Sequence, residues 1–143
     1  MLDEGQALGP DARAIVRAAD TIFVASNHPE RGADASHRGG APGFVQVVSD
    51  SLLRIADYPG NSMFNTFGNL ALDPRVGLCI PDFDGQRMLQ LNGRARILHG
   101  QDDPRHLSGG TGRFWEVEVD RWLLRRAPQR LDWEYLDASP FNP

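Results

Sequence analysis

The chain of 143 residues has no lysine, and all fifteen of its basic residues are arginine. That absence excludes a Schiff base to pyridoxal phosphate and any lysine base. Anion binding is left to arginine forks, backbone N–H groups and hydroxyls. The single cysteine, Cys79, excludes an internal disulfide and fits a reducing compartment. No apolar run approaches the roughly 20 residues that a spanning helix requires. The opening MLDEGQALGPDAR lacks the basic-then-apolar order of an export signal, so a cytoplasmic location without a membrane partner is expected. A net charge of −4 argues against general nucleic-acid binding, which needs a basic face. His28, His37, His99 and His106 fall at no metal-ligand spacing, so no metal is expected. With neither a Ser-His-Asp set nor a carboxylate pair, any redox chemistry has to come from a bound cofactor.

What is present reads as one domain spanning residues 1–143, since the length suits a single core and not two. Residues 10–20 predict a helix, with Pro10 at its first position and Ala12, Ile15, Val16 and Ala19 on one stripe. Thr21–Ser26 reads as a strand, residues 27–32 as a turn and Ala33–His37 as the returning strand. Phe44–Val48 and Leu52–Ala56 follow as strands, then a helix over 61–72. The near-continuous apolar run Arg75–Ile80 belongs in mid-sheet. Residues 88–97 and 115–120 alternate strictly, with Leu89, Leu91, Ala95 and Ile97 facing one way and Gln90, Asn92, Arg94 and Arg96 the other. The glycine-rich 100–112 loop reads as mobile or ordered by a partner. The tail 127–143, with Trp133, Tyr135 and Phe141, reads as irregular chain packed on the barrel. Six or seven strands, mostly in hairpins, indicate a mainly β fold, an antiparallel barrel with a few short helices.

Two segments suggest a phosphate pocket. In Asp57–Pro74, a strand meets a Pro-Gly turn, and Asn61 opens a helix whose free N–H groups form an anion socket. Upstream, Ser36–Gly40 reads as a turn that places Arg38 beside two glycines.

The succession SHRGGAPGFV (36–45), ADYPGNSMFNTFGNL (56–70), DPRVGL (73–78) and LNGRARI (91–97), with a terminal SPFNP, resembles the pyridoxamine 5′-phosphate oxidase-like, FMN-binding split-barrel family. The likeness covers roughly residues 20–142. It is to the oxidase-related flavin-binding proteins, because Asn61-Ser62-Met63 replaces the charged Ser-Arg-Lys clamp of the true oxidase. The resemblance implies a six-stranded split barrel and a homodimer with two FMN sites shared across its interface. It also implies a flavoprotein oxidoreductase that draws on a nicotinamide donor and acts on a small-molecule substrate, with a possible partner of the ferredoxin-reductase type. The isoalloxazine ring would lie along the strand that begins Gly43-Phe44, and the phosphate near Ala56, Asp57, Asn61, Ser62 and Met63. His37, Arg38 and Gly39 belong to the matched upstream motif. Arg113, which follows Gly110-Thr111-Gly112, is a candidate contact from the second subunit.

Each of these residues has a plain structural reading beside the functional one. Arg38 either holds the phosphate or pairs with Asp34 or Asp57. His37 either bonds the flavin or caps the strand, and Asn61 caps its helix with or without a ligand. Asn69 suits a structural bond to the loop before Asp73, Trp115 suits the core, and Cys79 suits an inert buried thiol. Two rival functions stand. One is a non-catalytic flavin or haem carrier on the same barrel, with His37 or His106 as axial ligand. The other is an oligonucleotide-binding small barrel, which the acidic balance disfavours.

Overall fold

The computed structural model describes residues 1–59, 65–140 and 142. A short strand β1 (Asp3–Gly5) leads into helix α1 (Pro10–Ala18). Pro10 sits in the first turn, where its missing N–H costs nothing, with Asp11 near the positive end and Arg17 in the last turn. Ala12, Ile15 and Val16 are buried, as their spacing predicts. The helix ends at Ala18 because Ala19 turns to extended backbone, two residues short of the expected boundary.

Strands β2 (Thr21–His28) and β3 (Gly32–Gly39) form a hairpin in unbroken register from Thr21↔Gly39 to His28↔Gly32. The returning strand expected over Ala33–His37 is therefore present and runs on through Arg38 and Gly39, expected only as turn. Pairing with β2 satisfies the backbone groups on that side, which outweighs the weak strand propensity of its small residues. Strands β4 (Val45–Val47) and β5 (Leu52–Ala56) follow, then α2 (Asn65–Leu72), β6 (Arg75–Asp82), β7 (Arg87–Leu98) and β8 (Phe114–Arg126). The expected helix start at residues 61–64 lies outside the described residues.

The eight strands among the described residues join one antiparallel sheet in the order β3-β2-β6-β7-β8-β5-β4, with β1 on β8. β1 and β4 are three-residue pieces, and the sheet curls without closing, as a split barrel does. β6 lies in mid-sheet, as its apolar run predicts. The core is drawn from alternate residues of the long strands: Ile22, Val24, Leu78, Ile80, Leu89, Leu91, Trp115 and Val117. Each such side chain contributes about 1.5–3 kcal/mol when fully buried. Trp115 is a core residue, its ring edge-on to Phe67 at 6.0 Å. Arg94 and Arg96 are on the outer, solvated face, where Arg96 bonds Glu116 at 2.9 Å. Strand β1 had no readable signal, being too short for periodicity. Its pairing with β8, up to Gly5↔Trp122, holds it in place, and Trp122 Nε1 donates to the Ala7 carbonyl just beyond it at 2.9 Å.

The long β7–β8 pair slips register between Asn92 and Gly93, a bulge that bends the sheet. Gly93 is needed there, because a Cβ would run into the Glu118 carbonyl and come within 3.1 Å of Val117 Cγ1. No helix among the described residues is long and apolar enough to cross a membrane. Residues 127–140 have no regular structure. Gln86 anchors their start, accepting from Leu131 N–H at 3.1 Å, and Trp133 packs edge-on to Phe83 at 4.8 Å, whereas Tyr135 and Leu136 stay exposed. Phe141 lies outside the described residues.

Gly93→Ala is expected to lower the unfolding free energy by about 1–3 kcal/mol in urea titrations. Gly68→Ala, in exposed helix with nothing within 4 Å of the added carbon, should instead be neutral or stabilising by about 1 kcal/mol. Equal effects of the two would remove the steric account of the bulge.

Candidate functional site: a cleft beside a buried ion cluster

Asp57, which follows β5, is fully buried, and two arginines meet it there. Arg38 of β3, only 5% exposed, donates from Nη1 to Asp57 Oδ1 at 2.8 Å. Arg113, just before β8, donates from Nε to Asp57 Oδ2. The Arg38 guanidinium also lies 5.0 Å over the Phe67 ring. Burial lowers its pKa against the pull of Asp57, with neighbouring Arg113 adding to the decrease. Of the two partners the sequence allowed for Arg38, the structure selects Asp57 and not Asp34. Arg113, expected as a contact to a second subunit, bonds within its own chain.

The cluster extends into the 100–112 loop. Asp57 N–H donates to the Arg113 carbonyl at 3.0 Å, and Thr111 Oγ1 donates to the Asp57 carbonyl at 2.7 Å. Asp103 gathers Leu107 N–H at 2.7 Å, Ser108 N–H at 2.8 Å and Ser108 Oγ at 2.6 Å. Gly112 N–H donates in turn to Ser108 Oγ at 3.0 Å. The loop, expected to be mobile or partner-ordered, is thus organised by its own carboxylate. His106 takes a left-handed backbone at φ 54°, unusual for a residue with a Cβ, and Gly109 and Gly110 share that hand.

Between this loop, α1 and β4 lies a cleft of about 870 Å³. Gly43 and Phe44, which the resemblance places along the ring, are among its lining residues. So are Arg17, Tyr58, Arg105 and His106, which the sequence reading did not bring together. The wall is set by a close approach at Gly40. A Cβ there would fall 2.5 Å from Phe44 Cγ and 2.6 Å from Tyr58 Oη, so only glycine lets the two rings pack over the chain. Burial raises the Tyr58 phenol above its ordinary pKa. Ala56 is buried behind the wall, its N–H bonded to the Phe44 carbonyl at 3.1 Å.

The other expected site residues that the structure describes lie apart from the cleft. His37 is exposed on β3 with its ring 5.5 Å from Phe23, and Gly39 pairs with Thr21. Asn61, Ser62 and Met63 lie outside the described residues. Asn69 donates to Ser26 Oγ at 3.0 Å and not to the loop before Asp73; only its carbonyl receives Asp73 N–H. Cys79 is half-buried, and burial pushes its thiol pKa up, as suits an unreactive side chain. Among the described residues, no group of three or more His, Cys, Asp or Glu side chains could hold a metal.

The family described as Pyridoxamine 5′-phosphate oxidase matches the chain over residues 8–131. No curated protein matches it. Among solved structures, a putative pyridoxamine 5′-phosphate oxidase from Lactobacillus delbrueckii is 11% identical, with 83% of this chain and 95% of that one covered at a TM-score of 0.63. HupZ of Group A Streptococcus is 9% identical over 80% of this chain and 91% of its own, at 0.60. An F420 reductase is 14% identical over 78% and 94%, at 0.51. At such identities these likenesses establish the fold alone.

The ion cluster and its loop can each be tested. Asp57→Asn leaves Arg38 without a counter-charge in the interior and should cost about 3–5 kcal/mol in chemical denaturation. Arg96→Gln, which breaks a pair exposed on the arginine side, should cost far less. Desolvation tends to raise the Asp103 carboxyl, but the bonds from Ser108 and Leu107 prevail and hold it below the ordinary 3.8. A depressed folded-state pKa makes its contribution complete above the unfolded value, and the contribution fades as pH falls through the lower, folded one. The Leu107 and Ser108 amide resonances should therefore hold steady down to about pH 4 and move below it. Movement centred above pH 4 would contradict the assigned bonds.

Proposed function

Because the chain belongs to the pyridoxamine 5′-phosphate oxidase family, we propose that it is an FMN-binding flavoprotein, an oxidoreductase acting on a small substrate. The observation that carries the reading is the cleft along β4. At about 870 Å³ it falls within the range of cofactor sites, about 300–1,000 Å³. Its lining combines aromatic surface from Phe44 and Tyr58, strand backbone from Val45–Val47, and the cationic side chains Arg17 and Arg105. These are the donor types that a flat heteroaromatic ring with an anionic tail requires.

The chain's own part in the chemistry is binding and orientation. β4 is the last strand of the sheet and pairs with β5 alone among the described residues. About half of its N–H and C=O groups therefore point away from the sheet, ready for the polar edge of a ring. Phe44 and Tyr58, 6.2 Å apart, form an apolar floor that excludes water. When bound, the flavin would supply the electron transfer for which the side chains provide no acid–base or nucleophile set. A nicotinamide donor and a homodimer with paired sites complete the proposal.

The test is a flavin fluorescence titration of the purified protein, with F420 as a second ligand because of the likeness to an F420 reductase. Saturable quenching by FMN is expected, and gel filtration should give about twice the 15.8 kDa of one chain. A Soret band in the absorption spectrum would favour the haem-carrier reading, with His106 at the cleft as the axial candidate. No response to FMN or F420, and no Soret band, would rule out a cofactor role for the cleft.

A further inference from the structure

Arg38, the sequence's candidate for holding a phosphate, is buried against Asp57, and Arg113 shares that carboxylate. The cleft has its own cations. Arg17, in the last turn of α1, and Arg105, in the 100–112 loop, line one cavity from two different elements, with His106 next to Arg105. We propose that Arg17 and Arg105 form the anion grip of this cleft, selecting ligands that end in a phosphate monoester. The identity of the flavin rests on the reading above, whereas the grip itself does not.

Charge supports the assignment. The chain is acidic, with a net charge of −4, yet among the described residues no carboxylate lines the cleft. Neither arginine has a salt-bridge partner among the described residues. Asp103, on the same loop, spends its oxygens on Leu107 and Ser108, and no salt bridge joins it to Arg105 among the described residues. Those bonds also fix the loop, and the left-handed backbone at His106, Gly109 and Gly110 shapes the segment that bears Arg105. An arginine held on a preorganised loop loses less side-chain freedom on meeting an anion than one on a mobile segment. A guanidinium fork on each side suits the several oxygens of a phosphate group.

The phosphate could belong to the flavin tail or to a substrate bound beside the ring, and a paired titration separates the two. Wild-type protein and the double variant Arg17→Gln/Arg105→Gln, both at exposed positions, are titrated with FMN, with riboflavin, and with inorganic phosphate followed by the Gly109 and Gly110 amide resonances. Equal melting temperatures would show that the fold is kept. If the grip holds the flavin tail, the preference for FMN over riboflavin falls by about ten- to hundred-fold in the variant while riboflavin affinity is unchanged. If it holds a substrate phosphate, the FMN preference survives, but inorganic phosphate no longer shifts the two amides in FMN-loaded variant protein. Should wild type bind neither flavin yet respond to phosphate through these arginines, the flavin reading fails and the grip stands. An FMN preference and a phosphate response both equal to wild type would overturn the proposal.

Discussion

The Asp57 carboxylate is the point at which separate parts of the chain are tied together. It sits without solvent exposure at the end of β5, receiving Arg38 from β3 and Arg113 from the start of β8. β3 and β5 are far apart in strand order, so the ion cluster crosses the interior of the curled sheet and does not follow its hydrogen-bonded ladder. Two charges taken out of water are stabilising only when their geometry is good and their remaining hydrogen bonds are met. Here the Asp57 backbone takes part as well, with its N–H on the Arg113 carbonyl and its carbonyl on Thr111. The end of β5 and the entry to β8 are thereby held at a set distance from β3.

The cleft depends on that arrangement. Tyr58 follows Asp57 directly, and its ring meets Phe44 over Gly40, so the position of the carboxylate sets the cleft floor. Thr111 joins the cluster to the loop that forms the opposite wall, which Asp103 and Ser108 shape from within. Arg38 and Arg113, behind the wall, bond Asp57, whereas Arg17 and Arg105 line the cleft with no salt-bridge partner among the described residues. Arginine thus cross-links the fold in one place, and in the proposal above it would hold an anion in the other.

The family match and the structural likenesses agree on the scaffold. An acidic protein places arginine, aromatic and strand backbone around one cavity, and it keeps its carboxylates elsewhere. Such a distribution comes from side chains contributed by α1, β4 and a long loop, elements that strand pattern alone does not relate.

The sequence by itself determined the features governed by local period and backbone chemistry. The alternation in β7 and β8, the apolar run of β6, the proline-led start of α1 and the mainly β class were all legible, because burial on one face imposes a period of two or of 3.6 on neighbouring residues. Even the core placement of Trp115 and the solvated face of Arg94 and Arg96 could be read this way. The tertiary structure alone decided which partner Arg38 took, that β3 runs on through Arg38 and Gly39, that β1 exists, and that the 100–112 loop is ordered by Asp103. It also decided that Arg17 and Arg105, far apart along the chain, face one cavity. The physical reason is common to all of these. An ion pair, a strand of three residues and a cleft wall each depend on groups distant in sequence, and their energies appear only when the chain closes on itself.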